Sequence, residues 1–151
     1  MSGTVVVAGC LLVVTVVVGL VAHECAHAVV LTLARVEYTV TYAPGRSDGI
    51  VGLVTSCPWA AVHPHPTGHE SATVLRVAAL APLALAVPIF GLGFSGLLPV
   101  ESPLLTAIGI GWLACAIPSP QDFSVAFYAH RALEAVPTDG SDTVTPVSRA
   151  D

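Results

Sequence analysis

The sequence predicts an all-α membrane protein: three transmembrane helices with a small β-hairpin between the first and the second. Three observations carry this expectation. Of 151 residues, 54% are hydrophobic and only 10% charged, with a mean hydropathy of +0.82; soluble domains carry about 25% charged residues. Apolar stretches on the scale of a bilayer crossing, roughly 20 residues, lie at 4–34, 72–98 and 103–118. Between the first two, the hydrophobic period switches from helical to alternating. The length suits one domain, expected over 1–135, followed by a polar tail at 136–151 that is expected to be disordered.

The first stretch reads as one helix from Thr4 to about Arg35, with Gly19 as the place for a bend. At 1.5 Å per residue it is roughly 47 Å long, more than a hydrocarbon core of about 30 Å. It must tilt, kink or protrude. The run is too long, and its start too uncharged, for a cleaved signal peptide. Residues 36–57 then change period. Val36, Tyr38, Val40 and Tyr42 alternate with Glu37, Thr39 and Thr41, which is a strand pattern. Turn chemistry follows at 44–49, and the β-prone run 50–56 would close a hairpin at the membrane surface. Residues 57–69 are expected to be a loop.

The second span starts near Ser71 and holds Pro82 and Pro88, which predict a kink. Pro99 and Pro103 bound a short turn. The third span runs from Leu104 into Pro118 and Pro120, which break it just before Asp122. It continues through Ala129 only if Gln121 and Asp122 are enclosed by protein. Helical pattern resumes to about Ala135.

The chemistry sits in the first span, at His23-Glu24-Cys25-Ala26-His27. Two histidines four apart share one helix face and can present two imidazoles to one Zn²⁺. Glu24 then projects beside the metal as a general base. Ionisable groups are costly in a membrane span and mark function there. A third ligand is needed, and Asp122 is the candidate. It follows a helix break, which a membrane tolerates only where protein or water encloses it. Its other reading is as a cap on the helix after Pro120. Depth supports the ligand role. His27 lies eight residues before Arg35 and Asp122 nine before Arg131, about 12 Å and about 13–14 Å along helices.

Charge sets the expected orientation. There are 5 basic residues against 10 acidic ones, and all five are arginines. Arg35, Arg46, Arg76, Arg131 and Arg149 fall on one side of the three spans. The positive-inside rule then puts the N-terminus outside and the C-terminus in the cytoplasm, in a multi-pass protein of the cell membrane. No basic patch exists, which argues against nucleic acid as a partner. An acidic, Lys-free, Val/Ala-rich composition fits either a high-salt cytoplasm or a GC-rich genome. Cys10, Cys25, Cys57 and Cys115 show no C-x-x-C spacing and no disulfide framework. His63, His65 and His69 form a tract that reads either as a metal-binding segment or as solvated loop histidines. Trp59 and Trp112 read as interface or packing aromatics.

These residues resemble those of the intramembrane site-2 protease-like metalloproteases, over about 1–130, with the small zincin-like peptidases of that group as the nearest likeness. The shared features are the His-Glu-x-x-His in the first span, the small hairpin, the Pro-bearing second span and the Pro-x-Asp element of the third. The resemblance implies His23, His27 and Asp122 as zinc ligands and Glu24 as general acid/base. It departs from the larger members, which carry an Asn-x-x-Pro-x-x-x-x-Asp-Gly element: Phe123 stands in place of that Gly, and no Asn precedes the prolines. The expected function is zinc-dependent hydrolysis of peptide bonds in or near membrane-spanning segments. The partners are then a membrane-protein or peptide substrate and the lipid bilayer, with the oligomeric state left open. The alternatives are a non-proteolytic zinc-binding membrane protein (sensor, transporter element or degenerate adaptor) and a structural subunit whose polar residues pack helices.

Overall fold

The computed structural model describes residues 2–42, 60–66, 70–99 and 101–134. Helix α1 runs Ser2–Leu33 without interruption. Valines and leucines leave no polar stripe on it, and Val5, Val6, Val13, Val14, Val17, Val18 and Val21 are all exposed. Such a surface suits hydrocarbon as its solvent. Three stretches, Gly3–Leu33, Ala72–Phe94 and Pro103–Arg131, are long and apolar enough to cross a membrane. The three-span expectation therefore holds.

Helix α1 ends in a Schellman motif. Val36 N donates to Leu31 O at 3.0 Å and Arg35 N to Thr32 O at 3.1 Å. Arg35 takes φ +58°, the left-handed position usually given to glycine. Leu31 and Val36 are buried together, the apolar contact that accompanies this cap.

Strand β1, Tyr38–Tyr42, lies where the alternation placed it. Its partner does not lie where the sequence suggested. Strand β2 is Ala60–Pro64, antiparallel to β1 from Tyr38↔Pro64 to Tyr42↔Ala60. This corrects the loop expected at 57–69. Ala60-Ala61-Val62-His63-Pro64 has little intrinsic β preference. It is extended because β1 holds one edge, while Glu24 accepts the Val62 N–H at 3.1 Å on the other. The run 50–56, the turn 44–49, Cys57, Trp59, His69 and the tail 136–151 lie outside the described residues.

The second span is broken as its prolines predict. Helix α2, Ala72–Leu80, starts at Ser71, whose Oγ accepts the Thr73 N–H at 3.2 Å. A 3₁₀ turn at Ala81–Leu85 carries Pro82, and helix α3 follows at Ala86–Phe94. Pro88 falls in the first turn of α3, where its missing N–H has no helical partner to lose. Glu70 precedes the Ser71 cap. The third span comprises α4, Pro103–Ala116, a break at 117–119, and α5, Pro120–Glu134.

Helix α1 packs along α4 and α2, and α2 along α5. The helix runs on through Gly19, and what glycine supplies there is a close approach. A Cβ there would stand 2.8 Å from Cys115 Sγ and 2.9 Å from Cys115 Cβ, so glycine lets α1 and α4 approach. At Gly111, a Cβ would stand 3.1 Å from Leu12 O. Trp112 is a packing aromatic: its indole N–H donates to Leu85 O at 2.8 Å. Arg76 Nε donates to Ala126 O at 3.1 Å, which ties α2 to α5. The buried cluster of Leu31, Val36, Leu75, Ala78 and Ala129 gathers at the α1 end that carries the histidines.

Candidate metal centre

His23 and His27 are 7% and 6% exposed, the buried polar residues among those described. Their rings stand edge to face, with centroids 4.9 Å apart. Each Nδ1 meets a backbone carbonyl. His23 reaches Cys115 O and His27 reaches Ala78 O, both at 2.7 Å. A carbonyl only accepts, so both Nδ1 atoms carry the hydrogen, and in a neutral ring Nε2 then turns its lone pair toward Asp122.

Proline chemistry makes those two carbonyls available. In a continuous helix Ala78 O would accept from residue 82, but Pro82 has no N–H. Cys115 O would accept from Ser119, but the chain leaves the helix at Ile117. The freed Ser119 N–H donates instead to Asp122 Oδ2 at 2.6 Å, and Ser119 Oγ accepts the Asp122 N–H at 3.2 Å. This reciprocal pair is a capping box at the start of α5. One helix break thus orients His23 and fixes Asp122.

Asp122 faces both histidines. Its Oδ2 lies 3.4 Å from His23 Nε2 and its Oδ1 3.2 Å from His27 Nε2. The ligand and cap readings of Asp122 are therefore compatible, since one carboxylate does both. Donor atoms of His23, His27 and Asp122 lie within 4.8 Å of one another, a group that could hold a metal ion. The fit is chemical as well as geometric. Two neutral imidazoles facing a carboxylate are satisfied by a cation between them, the place that a metal ion or a proton on Nε2 takes. Two ligands at about 2.0–2.1 Å from a tetrahedral metal lie about 3.3–3.4 Å apart, close to the two separations observed.

Asp122 is half-buried, and Gln121 is exposed at the cavity wall. The centre opens into a cavity of about 520 Å³, with Glu24 and Val62 on its wall. Leu31, Leu75, Ala78 and Ala79 supply apolar lining. Among the described residues, no other group of His, Cys, Asp and Glu could hold a metal. His63 lines the same cavity, and His65 Nε2 lies 2.7 Å from Thr39 Oγ1. His130 is next in sequence to Arg131, whose guanidinium lies 5.3 Å from the centre of the Tyr128 ring. Cys10, Cys25 and Cys115 are free thiols.

Sequence reasoning missed the supporting residues: Ala78 and Cys115 through their carbonyls, Ser119 through its cap and Val62 through its N–H. A signal existed for two of them. Pro82 four residues after Ala78 announces a carbonyl without its i+4 donor, and Ser119-Pro120-Gln121-Asp122 has capping-box spacing. Comparison of the chain with family models, curated proteins and solved structures returns no match.

Proposed function

We propose that this chain is a zinc-dependent intramembrane endopeptidase that hydrolyses peptide bonds in or near membrane-spanning segments. The observation that supports it most is the orientation of His23 and His27, each tied through Nδ1 to a carbonyl and each aiming Nε2 at Asp122. Two imidazoles and one carboxylate are a donor set used by catalytic zinc, which leaves a coordination position open. Bound there, zinc polarises the scissile carbonyl and makes the attacking water more acidic.

Glu24 shares the cavity but is not one of the three converging ligands. It takes a proton from the attacking water as oxygen bonds to the carbonyl carbon. It then delivers a proton to the leaving amine as the carbon–nitrogen bond breaks. A helical substrate hides its carbonyls, so it must unwind locally. Strand β2 offers an edge beside Glu24 on which the unwound stretch pairs. The arginine distribution supports a centre toward the cytoplasmic side of the cell membrane, with the N-terminus outside.

The test is Glu24→Gln in the full-length protein. Zinc content should stay at the wild-type value while cleavage of a model membrane peptide is lost. Zinc lost together with activity would contradict the role given to Glu24. Cleavage retained would remove Glu24 as the general base, and a wild type that holds zinc but cleaves nothing would favour a zinc-binding protein without peptidase chemistry.

A further inference from the structure

The hydrogen bond between strand β2 and Glu24 has a consequence for substrate docking. Backbone groups of a strand alternate between its edges. His65 N donates to Glu37 O at 2.7 Å, toward β1. Counting back by twos, His63 and Ala61 also face β1, so Pro64, Val62 and Ala60 face the other edge, to which no described strand pairs. Val62 N–H agrees with this count by donating to Glu24 Oε2 at 3.1 Å. Pro64, the outward position that follows Val62, has no N–H to offer. Val62 is thus an outward donor on the wall of the cavity, and Glu24 already holds it.

We propose that the Val62 N–H is a shared donor, held by Glu24 in the free protein and surrendered to the backbone of an extended peptide when one pairs with β2. This rests on the peptidase reading above. A carboxylate bound to Val62 has one oxygen occupied by the strand. A peptide strand beside Val62 needs that same N–H for its own carbonyl. Docking therefore releases the Glu24 oxygen into the cavity at the moment a scissile bond arrives. Val62 is a positioning residue acting through its main chain, and Glu24 competes with substrate until substrate is seated.

The test is a binding cycle that needs no turnover. A fluorescein-labelled, valine- and threonine-rich peptide is titrated against the full-length protein in detergent, read by anisotropy. Glu24→Ala should bind it about tenfold tighter than wild type, because a hydrogen bond to a charged acceptor no longer competes. Val62→Pro removes the donor but leaves the β1 ladder intact, since this N–H points away from β1. In that background Glu24→Ala should change nothing. Zinc content reports whether the Val62→Pro variant is folded. Should it not be, amide exchange in the Val62 parent decides: Glu24→Ala should unprotect residue 62 in the free protein, and peptide should restore protection. Equal or weaker binding by Glu24→Ala overturns the proposal. So does tightening that survives in the Val62→Pro background, which would be a plain charge effect, or exchange at residue 62 that ignores Glu24. Absence of cleavage by wild type would sink the peptidase reading and leave this cycle standing. An active enzyme without the coupling would sink the shared donor alone.

Discussion

Gly19→Ala should weaken metal binding from a position that touches no ligand. The added methyl carbon would stand 2.8 Å from Cys115 Sγ and 2.9 Å from Cys115 Cβ. Ordinary carbon contacts are about 3.5–4.0 Å. Rotating the thiol away does not relieve the second clash, because Cβ is fixed to the backbone. Helices α1 and α4 must therefore part locally by roughly 0.6–1 Å. Two energies oppose each other. Alanine in place of a helical glycine stabilises by about 1 kcal/mol, while overpacking costs about 1–3 kcal/mol. The second wins or ties, so overall stability falls by no more than about 2 kcal/mol and the fold persists.

The larger effect is at the centre. His23 lies one turn beyond Gly19 and takes its orientation from Cys115 O at 2.7 Å. Parting the helices stretches that bond past the usual limit of about 3.2 Å. Loss of such an outer partner lowers metal affinity about 10–100-fold. Chelator competition on the detergent-solubilised protein measures it, with thermal unfolding of the metal-free form as control. Gly19→Ala/Cys115→Gly should recover most of the affinity, since it returns the clearance. Wild-type affinity in Gly19→Ala would refute the idea that this crossing seats His23.

Three further outcomes are expected. Asp122→Ala should cut zinc affinity sharply while the three spans persist by circular dichroism; α5 loses one capping bond worth about 1 kcal/mol. Replacing His63, His65 and His69 together by Ala should leave one tightly held zinc per chain by elemental analysis, because neither His63 nor His65 belongs to the converging group. Arg35→Gly should raise the unfolding midpoint, since glycine takes the left-handed cap with about 1 kcal/mol less strain, and zinc content should not change.

The legible part of this molecule is the part written in short-range pattern. The spans follow from apolar runs, the first strand from the alternation of Val36 to Tyr42, and the breaks from Pro82, Pro118 and Pro120. Asp122 was legible for a less local reason. Its distance from Arg131 matches that of His27 from Arg35, so membrane depth stood in for tertiary information. Strand β2 was not legible, because Ala60 to Pro64 becomes extended only through partners supplied by β1 and Glu24. The run 50–56 has stronger β preference and drew the expectation away. The close approach at Gly19 was not legible for a related cause. A helical glycine signals a bend or a close approach alike, and only the position of Cys115 separates them. The carbonyl of Cys115 carries no side-chain signature, and that of Ala78 is signalled only through Pro82.

The most direct measurement of the central claim is the zinc X-ray absorption spectrum of the purified full-length protein. A centre built on His23, His27 and Asp122 predicts only nitrogen and oxygen neighbours at about 2.0–2.2 Å, with imidazole scattering from two histidines. A sulfur neighbour at about 2.3 Å, or protein that takes up no zinc, would contradict it.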